Sequence, residues 1–130
     1  MVLPRRMNLK RQHWDSVKKE HVSDLIERQM VYGEKAMVAK LLLKKGCVVP
    51  AHHHENEQIT WIMKGALEFE IDGEKFILKE GETLVIPPNS VHKAVAVEDT
   101  IDVDIFSPPR QDWISGTDSY LRSGSKVGIK

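Results

Sequence analysis

Three consecutive histidines, His52, His53 and His54, lie mid-chain within the segment PAHHHENEQ, residues 50–58. Imidazole nitrogens are common protein ligands of transition-metal ions. If this segment is extended, its side chains alternate between two faces, so that His52 and His54 point to one side and His53 to the other. Two imidazoles on one face can bind the same ion. The segment is therefore either part of a metal site or a solvated polar turn.

Two residues later in the chain are candidates to complete such a site. Gln58 lies four positions after His54, at the start of an apolar segment, and His92 follows the turn at Pro87 and Pro88. A third imidazole would complete a facial set of ligands and leave coordination positions open for substrate or water. Histidines are also common as packing or surface residues, so the elements that carry them decide between the two interpretations.

The centre of the chain consists of short apolar or β-branched segments separated by turn residues. In the stretch ALEFEIDGEKFILKEG, Leu67, Phe69 and Ile71 alternate with acidic residues, and Asp72-Gly73 is typical of a tight hairpin turn. Strands at this short spacing, without a long helical pattern, predict an all-β sandwich or barrel. Residues 8–24 predict no helix, and residues 111–130 predict a mostly irregular tail with at most a helical turn.

Composition limits the functions that we expect. The chain has 130 residues and a formal net charge of zero, which fits one domain without the positive charge typical of nucleic-acid-binding proteins. No apolar run approaches the roughly 20 residues that cross a membrane, and we find no secretory signal. The single cysteine, Cys47, cannot form an internal disulfide. We therefore expect a cytoplasmic protein in which Cys47 is a buried core residue.

The candidate ligands lie within two spaced patterns. These are Gly46-x5-His52-x-His54-x3-Gln58-x6-Gly65 and Gly81-x5-Pro87-x-Asn89-x2-His92. Over residues 46–92 they resemble the paired motifs of the cupin superfamily. The resemblance implies an all-β, cupin-type jelly-roll β-barrel (double-stranded β-helix), with one domain over residues 1–130 and a barrel core at about 30–107. It also implies one divalent transition-metal ion held by His52, His54, Gln58 and His92.

Three positions depart from the commonest cupin pattern. Asn89 replaces a glycine and Ala96 replaces an asparagine, at turn and packing positions, and asparagine tolerates the left-handed backbone conformation. Gln58 replaces a glutamate. Because the amide is neutral, the bound ion should be a stronger Lewis acid. Imidazole and amide ligands suit zinc, nickel, manganese, cobalt or iron, so the metal is left open.

The segment DVDIFSPPR carries a second candidate set. Strand alternation puts Asp102, Asp104 and Phe106 on one face. We predict that Asp102, near the start of the strand, faces solvent, and that Asp104 is functional. The spacing of Asp104, Phe106 and Arg110 resembles the DxFxxxR signature of the pectin-degradation cupins (KdgF type), which carry a His, His, Gln, His metal set. That resemblance implies that these three residues face the substrate.

The KdgF-type resemblance implies an enzyme that converts 4,5-unsaturated monouronates, released by pectin or alginate lyases, into linear ketonised sugars. Ring opening and enol-to-ketone conversion need proton movement, which a carboxylate such as Asp104 provides. The guanidinium of Arg110 suits a bidentate contact with the sugar carboxylate, and Phe106 suits packing against the sugar ring.

Two other functions stay open at this point. One is a cupin dioxygenase with a redox metal, and the other is a non-catalytic, metal-dependent sugar-acid binding protein. In each uronate interpretation the partner is a small-molecule sugar acid. The segment ITWIM, residues 59–63, has apolar residues on both strand faces, more than one small barrel interior needs. We therefore also expect a homodimer.

Overall fold

The computed structural model describes residues 9–124 of the chain. Within this range the secondary structure is almost entirely β, apart from a 3-10 turn at Trp14–Ser16 and two short helices near the end. The strands are β1 (Glu20–Ser23), β2 (Ile26–Tyr32), β3 (Met37–Leu43), β4 (Val48–His52), β5 (Glu57–Lys64), β6 (Ala66–Ile71), β7 (Glu74–Lys79), β8 (Thr83–Ile86), β9 (His92–Ala96) and β10 (Thr100–Ser107), and the helices are α1 (Gln111–Ser115) and α2 (Ser119–Gly124).

The strands pair antiparallel in two sheets. One has the order β1-β2-β3-β10-β5-β8 and the other has the order β4-β9-β6-β7. The last strand, β10, returns to lie between β3 and β5, so the order in space differs from the order in the chain. Apolar side chains from both sheets form one core between them. This arrangement is a jelly-roll barrel, and the predicted all-β fold is confirmed.

Two turns show how local sequence shapes the barrel. Asp72 and Gly73 have φ values of 53° and 80°, the positive values that a two-residue hairpin turn requires, and they join β6 to β7. Asn89 has a φ of 64°, so it adopts the left-handed conformation in place of the more usual glycine. Its backbone N–H donates to the carbonyl of His54 at 2.7 Å. The turn that precedes His92 is thereby tied to the segment that carries His54.

The inner face of β10 is more polar than we predicted. Asp102 is only 3% exposed, so the prediction that it faces solvent is wrong. The reason is that β10 is a central strand, and its neighbours place Leu41 and Ile62 on either side of Asp102. Asp104 and Phe106 follow on the same covered face and are also buried.

The segment after β10 is ordered into helices, so the prediction of a mostly irregular tail is wrong for residues 111–124. α1 buries Trp113 and ends at Gly116, whose φ of 74° terminates the helix. α2 buries Leu121 against the same core. These contacts depend on the folded barrel, which explains why the local sequence did not predict them. Among residues 9–124, no helix is long and apolar enough to span a membrane.

Buried and partly buried ion pairs attach the tail to the barrel. Arg28, which has no exposed surface, donates from Nη1 to Asp118 Oδ2 at 2.7 Å and from Nη2 to Glu20 Oε1 at 2.9 Å. Arg122 donates to the other carboxylate oxygens of Asp118 and Glu20, at 2.9 and 2.6 Å. Two arginines and two carboxylates from β1, β2 and the tail therefore fix the position of α2.

Candidate metal centre and active site

The structure brings the four predicted metal ligands together between the two sheets. His52 at the end of β4 pairs with His92 at the start of β9. His54 follows in the next loop, and Gln58 projects from β5 in the other sheet. One ligand nitrogen from each histidine lies within 4.8 Å of the other two, and Gln58 Oε1 is 3.0 Å from His54 Nε2. His53, between two of the predicted ligands, is exposed.

Each of the three imidazoles is oriented by a backbone carbonyl. Such an acceptor favours the tautomer with a proton on Nδ1, which leaves the lone pair on Nε2 for a metal ion. The distances from Nδ1 to the carbonyl oxygen are 2.8 Å for His52 to Pro50, 3.1 Å for His54 to Asn56 and 2.8 Å for His92 to Ser90.

Some acceptor atoms of this cluster lack a hydrogen-bond donor. His92 Nε2 is buried and has no hydrogen-bond partner among the described residues. His54 lies between two acceptors, the carbonyl of Asn56 and the amide oxygen of Gln58, and a neutral imidazole has a proton for only one of them. A bound cation would satisfy the remaining lone pairs. The donor set of three imidazole nitrogens and one amide oxygen therefore fits a divalent transition-metal ion.

The protonation state of the histidines is also compatible with metal binding. Burial, followed by the charge of His92, lowers the pKa of His52 to about 3. Burial and the nearby Arg110 lower the pKa of His54 to about 4. The pKa of His92 is also lowered, mainly by burial. All three imidazoles are neutral at pH 7, the state in which they bind metals.

The amide of Gln58 has its orientation set by a neighbour on the same strand. Gln58 Nε2 donates to Thr60 Oγ1 at 2.9 Å, so its oxygen faces the histidines. Thr60 Oγ1 in turn donates to Asp104 Oδ1 at 2.8 Å. Thr60 was not among the predicted site residues, although its position two residues after Gln58 places it on the same strand face.

Asp102 and Asp104 form a carboxyl pair beneath the histidines. Both residues are buried, and burial raises the pKa of each. The negative charge of Asp104 raises the pKa of Asp102 further, whereas hydrogen bonds from Asp102 and Thr60 partly offset the rise for Asp104. Asp102 Oδ1 has no hydrogen-bond partner among the described residues. Asp102 therefore keeps its proton to a higher pH than an ordinary aspartate side chain does.

Arg110 lies above this pair, at the start of α1. Its Nε and Nη2 donate to the two carboxylate oxygens of Asp112 at 3.0 and 2.8 Å, which fixes the guanidinium plane. Its Cζ lies 5.1 Å from the ring centroid of Phe106 and 4.6 Å from that of Trp113. Nη1 is buried and has no partner within residues 9–124. The predicted residues Asp104, Phe106 and Arg110 thus line the same inner cavity as His52, Gln58 and His92.

Tyr120 in α2 is a site residue that the sequence did not predict. An outer cleft of about 380 Å³ adjoins the inner cavity of about 40 Å³. Three side chains line both spaces, namely His52, Arg110 and Tyr120. The Tyr120 ring centroid lies 4.5 Å from that of His52. No local signal marked this tyrosine, because only the folded tail brings it to the barrel.

Comparison with known families agrees with this geometry. The sequence profile of the cupin domain matches residues 40–107, from β3 to the end of β10. The chain belongs to the cupin family. This cupin is 32% identical over 98 residues to the pectin degradation protein KdgF of Dickeya dadantii, a match that covers 73% of this chain and 89% of the relative. The predicted resemblance to KdgF-type cupins is confirmed.

Solved structures give the same grouping. The structure of KdgF from a Halomonas species superposes on this cupin with a TM-score of 0.72 and 34% identity, covering 76% of this chain and 94% of the other. An RmlC-like cupin from Shewanella frigidimarina superposes with a TM-score of 0.74 and 27% identity, covering 78% and 93% of the two chains.

Proposed function

We propose that this cupin is a metal-dependent enzyme that converts 4,5-unsaturated monouronates into linear ketonised sugars. The proposal rests on one continuous set of hydrogen bonds. A buried carboxyl, Asp104, is joined through Thr60 to the Gln58 amide beside the histidine cluster. The unpartnered Nη1 of Arg110 borders the same cavity. Similarity to KdgF, a pectin degradation protein by name, supports the choice of substrate.

In this proposal, the Nε2 atoms of His52, His54 and His92 and the Oε1 atom of Gln58 would hold the metal ion. When bound, a zinc, nickel, manganese, cobalt or iron ion would polarise a hydroxyl or carbonyl oxygen of the sugar. The neutral amide in place of a carboxylate keeps more of the positive charge available for that purpose.

Asp104 is the proposed acid and base. In the conversion, the hydroxyl on carbon 1 loses its proton as the bond from carbon 1 to the ring oxygen breaks, and carbon 4 gains a proton when the enol becomes a ketone. The reaction is an isomerisation, so one proton leaves the sugar and one returns. Asp104, which lies beside the buried carboxyl group of Asp102, can accept the first and supply the second, which is the usual role of a positioned carboxyl group.

Arg110 and Phe106 complete the proposed site. The Nη1 donor of Arg110 has no partner among the described residues, and the guanidinium is held by Asp112, so it is preorganised for an anionic group of the substrate. Phe106 lies beside His54, with ring centroids 5.7 Å apart, and provides an apolar surface for the sugar. We propose that Arg110 binds the uronate carboxylate and that Phe106 contacts the ring and excludes water.

The assembly and location are also proposals. Trp61, Met63 and Val85, on adjacent strands β5 and β8, are 42%, 45% and 58% exposed. An apolar surface of this kind supports a homodimer that covers it. The cytoplasmic location expected from the single cysteine stays a prediction.

The test of the proposal is turnover by the metal-loaded protein. Lyase-generated unsaturated monouronate is supplied as substrate, and loss of the conjugated double bond is followed by absorbance with correction for the spontaneous reaction. We expect a rate above background that a chelator abolishes and that consumes no oxygen. Oxygen consumption would indicate a dioxygenase instead, and binding of the uronate without turnover would indicate a sugar-acid binding protein.

A further inference from the structure

Tyr120 lies outside the part of the chain that matches the cupin profile, yet it borders the site. The match ends at residue 107, and Tyr120 is in the second helix of the tail. The buried ion pair of Arg28 with Asp118, two residues before Tyr120, holds this helix against the barrel. The tyrosine therefore lines both the inner cavity and the outer cleft.

The hydrogen bonds of the Tyr120 hydroxyl leave its proton unused. The oxygen accepts from Arg110 Nη2 at 2.8 Å and from Trp113 Nε1 at 3.1 Å. Neither group can accept a hydrogen bond in return, since a guanidinium and an indole N–H are donors only. Burial, the largest effect, raises the pKa of Tyr120, so the phenol keeps its proton at neutral pH. No acceptor for that proton is found within residues 9–124.

A second unused donor lies on the group that contacts this hydroxyl. Arg110 Nη1 is buried without a partner, while Nη2 of the same guanidinium donates to Tyr120. Two free N–H or O–H donors therefore border the same cavity, next to an imidazole cluster that is neutral. An acceptor with two oxygens and a negative charge is the chemical group that such a pair of donors suits.

We propose that Tyr120 is a specificity-determining residue that donates its hydroxyl hydrogen bond directly to the substrate carboxylate, beside Arg110 Nη1. The inference rests on the proposed function for the identity of the substrate, and on the structure alone for the carboxylate. Uncharged sugars, which lack the second oxygen and the charge, gain little from this pair of donors. The tail of this cupin thereby selects uronates over neutral sugars.

The experiment measures binding rather than turnover, so that it does not depend on the proposed reaction. Calorimetry gives the affinity of the metal-loaded protein for galacturonate, a saturated uronate, and for galactose, its neutral counterpart. We expect Tyr120→Phe to weaken galacturonate binding roughly 10-fold to 100-fold, the range for hydrogen bonds to a charged group. Galactose binding should not change. Tyr32→Phe is the matched control, because Tyr32 is exposed at the end of β2.

A second measurement separates direct contact from an effect on Arg110. The nitrogen-15 signal of Arg110 Nε–H, which Asp112 holds, should keep its chemical shift in Tyr120→Phe, and the thermal midpoint should be close to that of the wild type. Loss of the Arg110 signal together with affinity would mean that Tyr120 acts only through the arginine, and would overturn the proposal.

The remaining outcomes also test the proposed contact of Tyr120 with the carboxylate. Equal galacturonate affinity in wild type and Tyr120→Phe, an equal loss for galactose, or no preference of the wild type for galacturonate would each overturn the carboxylate contact. A wild type that prefers galacturonate through Tyr120 but does not turn over the unsaturated sugar would leave this inference standing and remove the proposed reaction.

Discussion

Thr60 joins Asp104 to the histidine-facing amide of Gln58 through a single hydroxyl. Its Oγ1 donates to Asp104 Oδ1 at 2.8 Å and accepts from Gln58 Nε2 at 2.9 Å. Because the hydroxyl has one proton, donating to the carboxylate fixes it as an acceptor for the amide. The direction of these two bonds determines which end of the amide faces the histidines.

The first prediction follows from that direction. Thr60→Val removes the acceptor for Gln58 Nε2 while it preserves the shape of the side chain, so the amide is free to rotate. We expect the affinity for a divalent transition metal to fall roughly 10-fold, the lower end of the range for groups that orient a ligand. Competition with a chromophoric chelator measures this change. Thr60→Ser, which keeps the hydroxyl, should bind as the wild type does, and equal affinities for Val and Ser variants would rule out the orienting role.

The second prediction concerns the metal itself. With His52, His54 and His92 converging, the protein should bind about one divalent transition-metal ion per chain. His54→Ala or His92→Ala should abolish tight binding, because each removes one of only three imidazoles. His53→Ala is the matched control, since its side chain is exposed and should leave the metal content unchanged. Elemental analysis that finds the same metal content in the His54 and His92 variants would disprove the assignment.

The convergence of four residues is the part of the candidate site that the sequence predicted best. His52, His54, Gln58 and His92 lie in two spaced patterns that resemble cupin motifs, and the structure brings their side chains together. Asp102 was predicted wrongly, because alternation gives the face of a strand but not whether that face is covered.

Tyr120 and Thr60 were missed for different physical reasons. Thr60 lies opposite Asp104 in the β5–β10 pairing, a long-range relationship that appears only with the register of the sheet. Tyr120 depends on the buried contact of Arg28 with Asp118, which are 90 positions apart in the chain. Periodicity could predict the barrel strands, but not contacts at that separation.

The third prediction concerns acid stability. Glu20 is the group to change, because its pKa is lowered in the folded protein. Burial is the largest single effect and raises this pKa, but the hydrogen bonds and charges of Arg122 and Arg28 together lower it by more. A lowered pKa in the folded state means that Glu20 stabilises the fold above its ordinary pKa of 4.5, and that this contribution is lost as pH falls through the lower folded value. In Glu20→Gln, urea unfolding should therefore show less loss of stability on acidification below about pH 4.5 than in the wild type. The matched control is Glu74→Gln, at an exposed residue of β7, which should retain the wild-type pH dependence of stability. An unchanged pH dependence of stability in Glu20→Gln would contradict the assignment.

The fourth prediction concerns assembly. Light scattering at micromolar concentration should give twice the 14.8 kDa mass of the chain. Trp61→Glu introduces a charge into the exposed apolar face of β5 and should shift the protein to monomer. Ile77→Glu is the comparison, because Ile77 is similarly exposed, at 46%, but lies on β7 in the other sheet. A wild-type mass of one chain would refute the homodimer, and dissociation by Ile77→Glu alone would place the interface elsewhere.

The fifth prediction concerns Asp104, on which the proposed reaction depends. Asp102, which we predicted to face solvent, is buried beside Asp104 and therefore cannot serve as a control. Asp24→Asn replaces it as the control, because the Asp24 side chain is 100% exposed.

The most direct measurement is the turnover of 4,5-unsaturated monouronate by metal-loaded wild type and Asp104→Asn, with metal content determined in the same samples. Asp104 is not one of the proposed ligands, so Asp104→Asn should retain the ion, and Asp24→Asn should retain the wild-type rate. We predict that Asp104→Asn loses roughly 10²–10⁴-fold in rate, the usual contribution of a general acid or base. Equal rates for wild type and Asp104→Asn would remove Asp104 from the mechanism, and a wild-type rate no higher than the spontaneous reaction would contradict the uronate function.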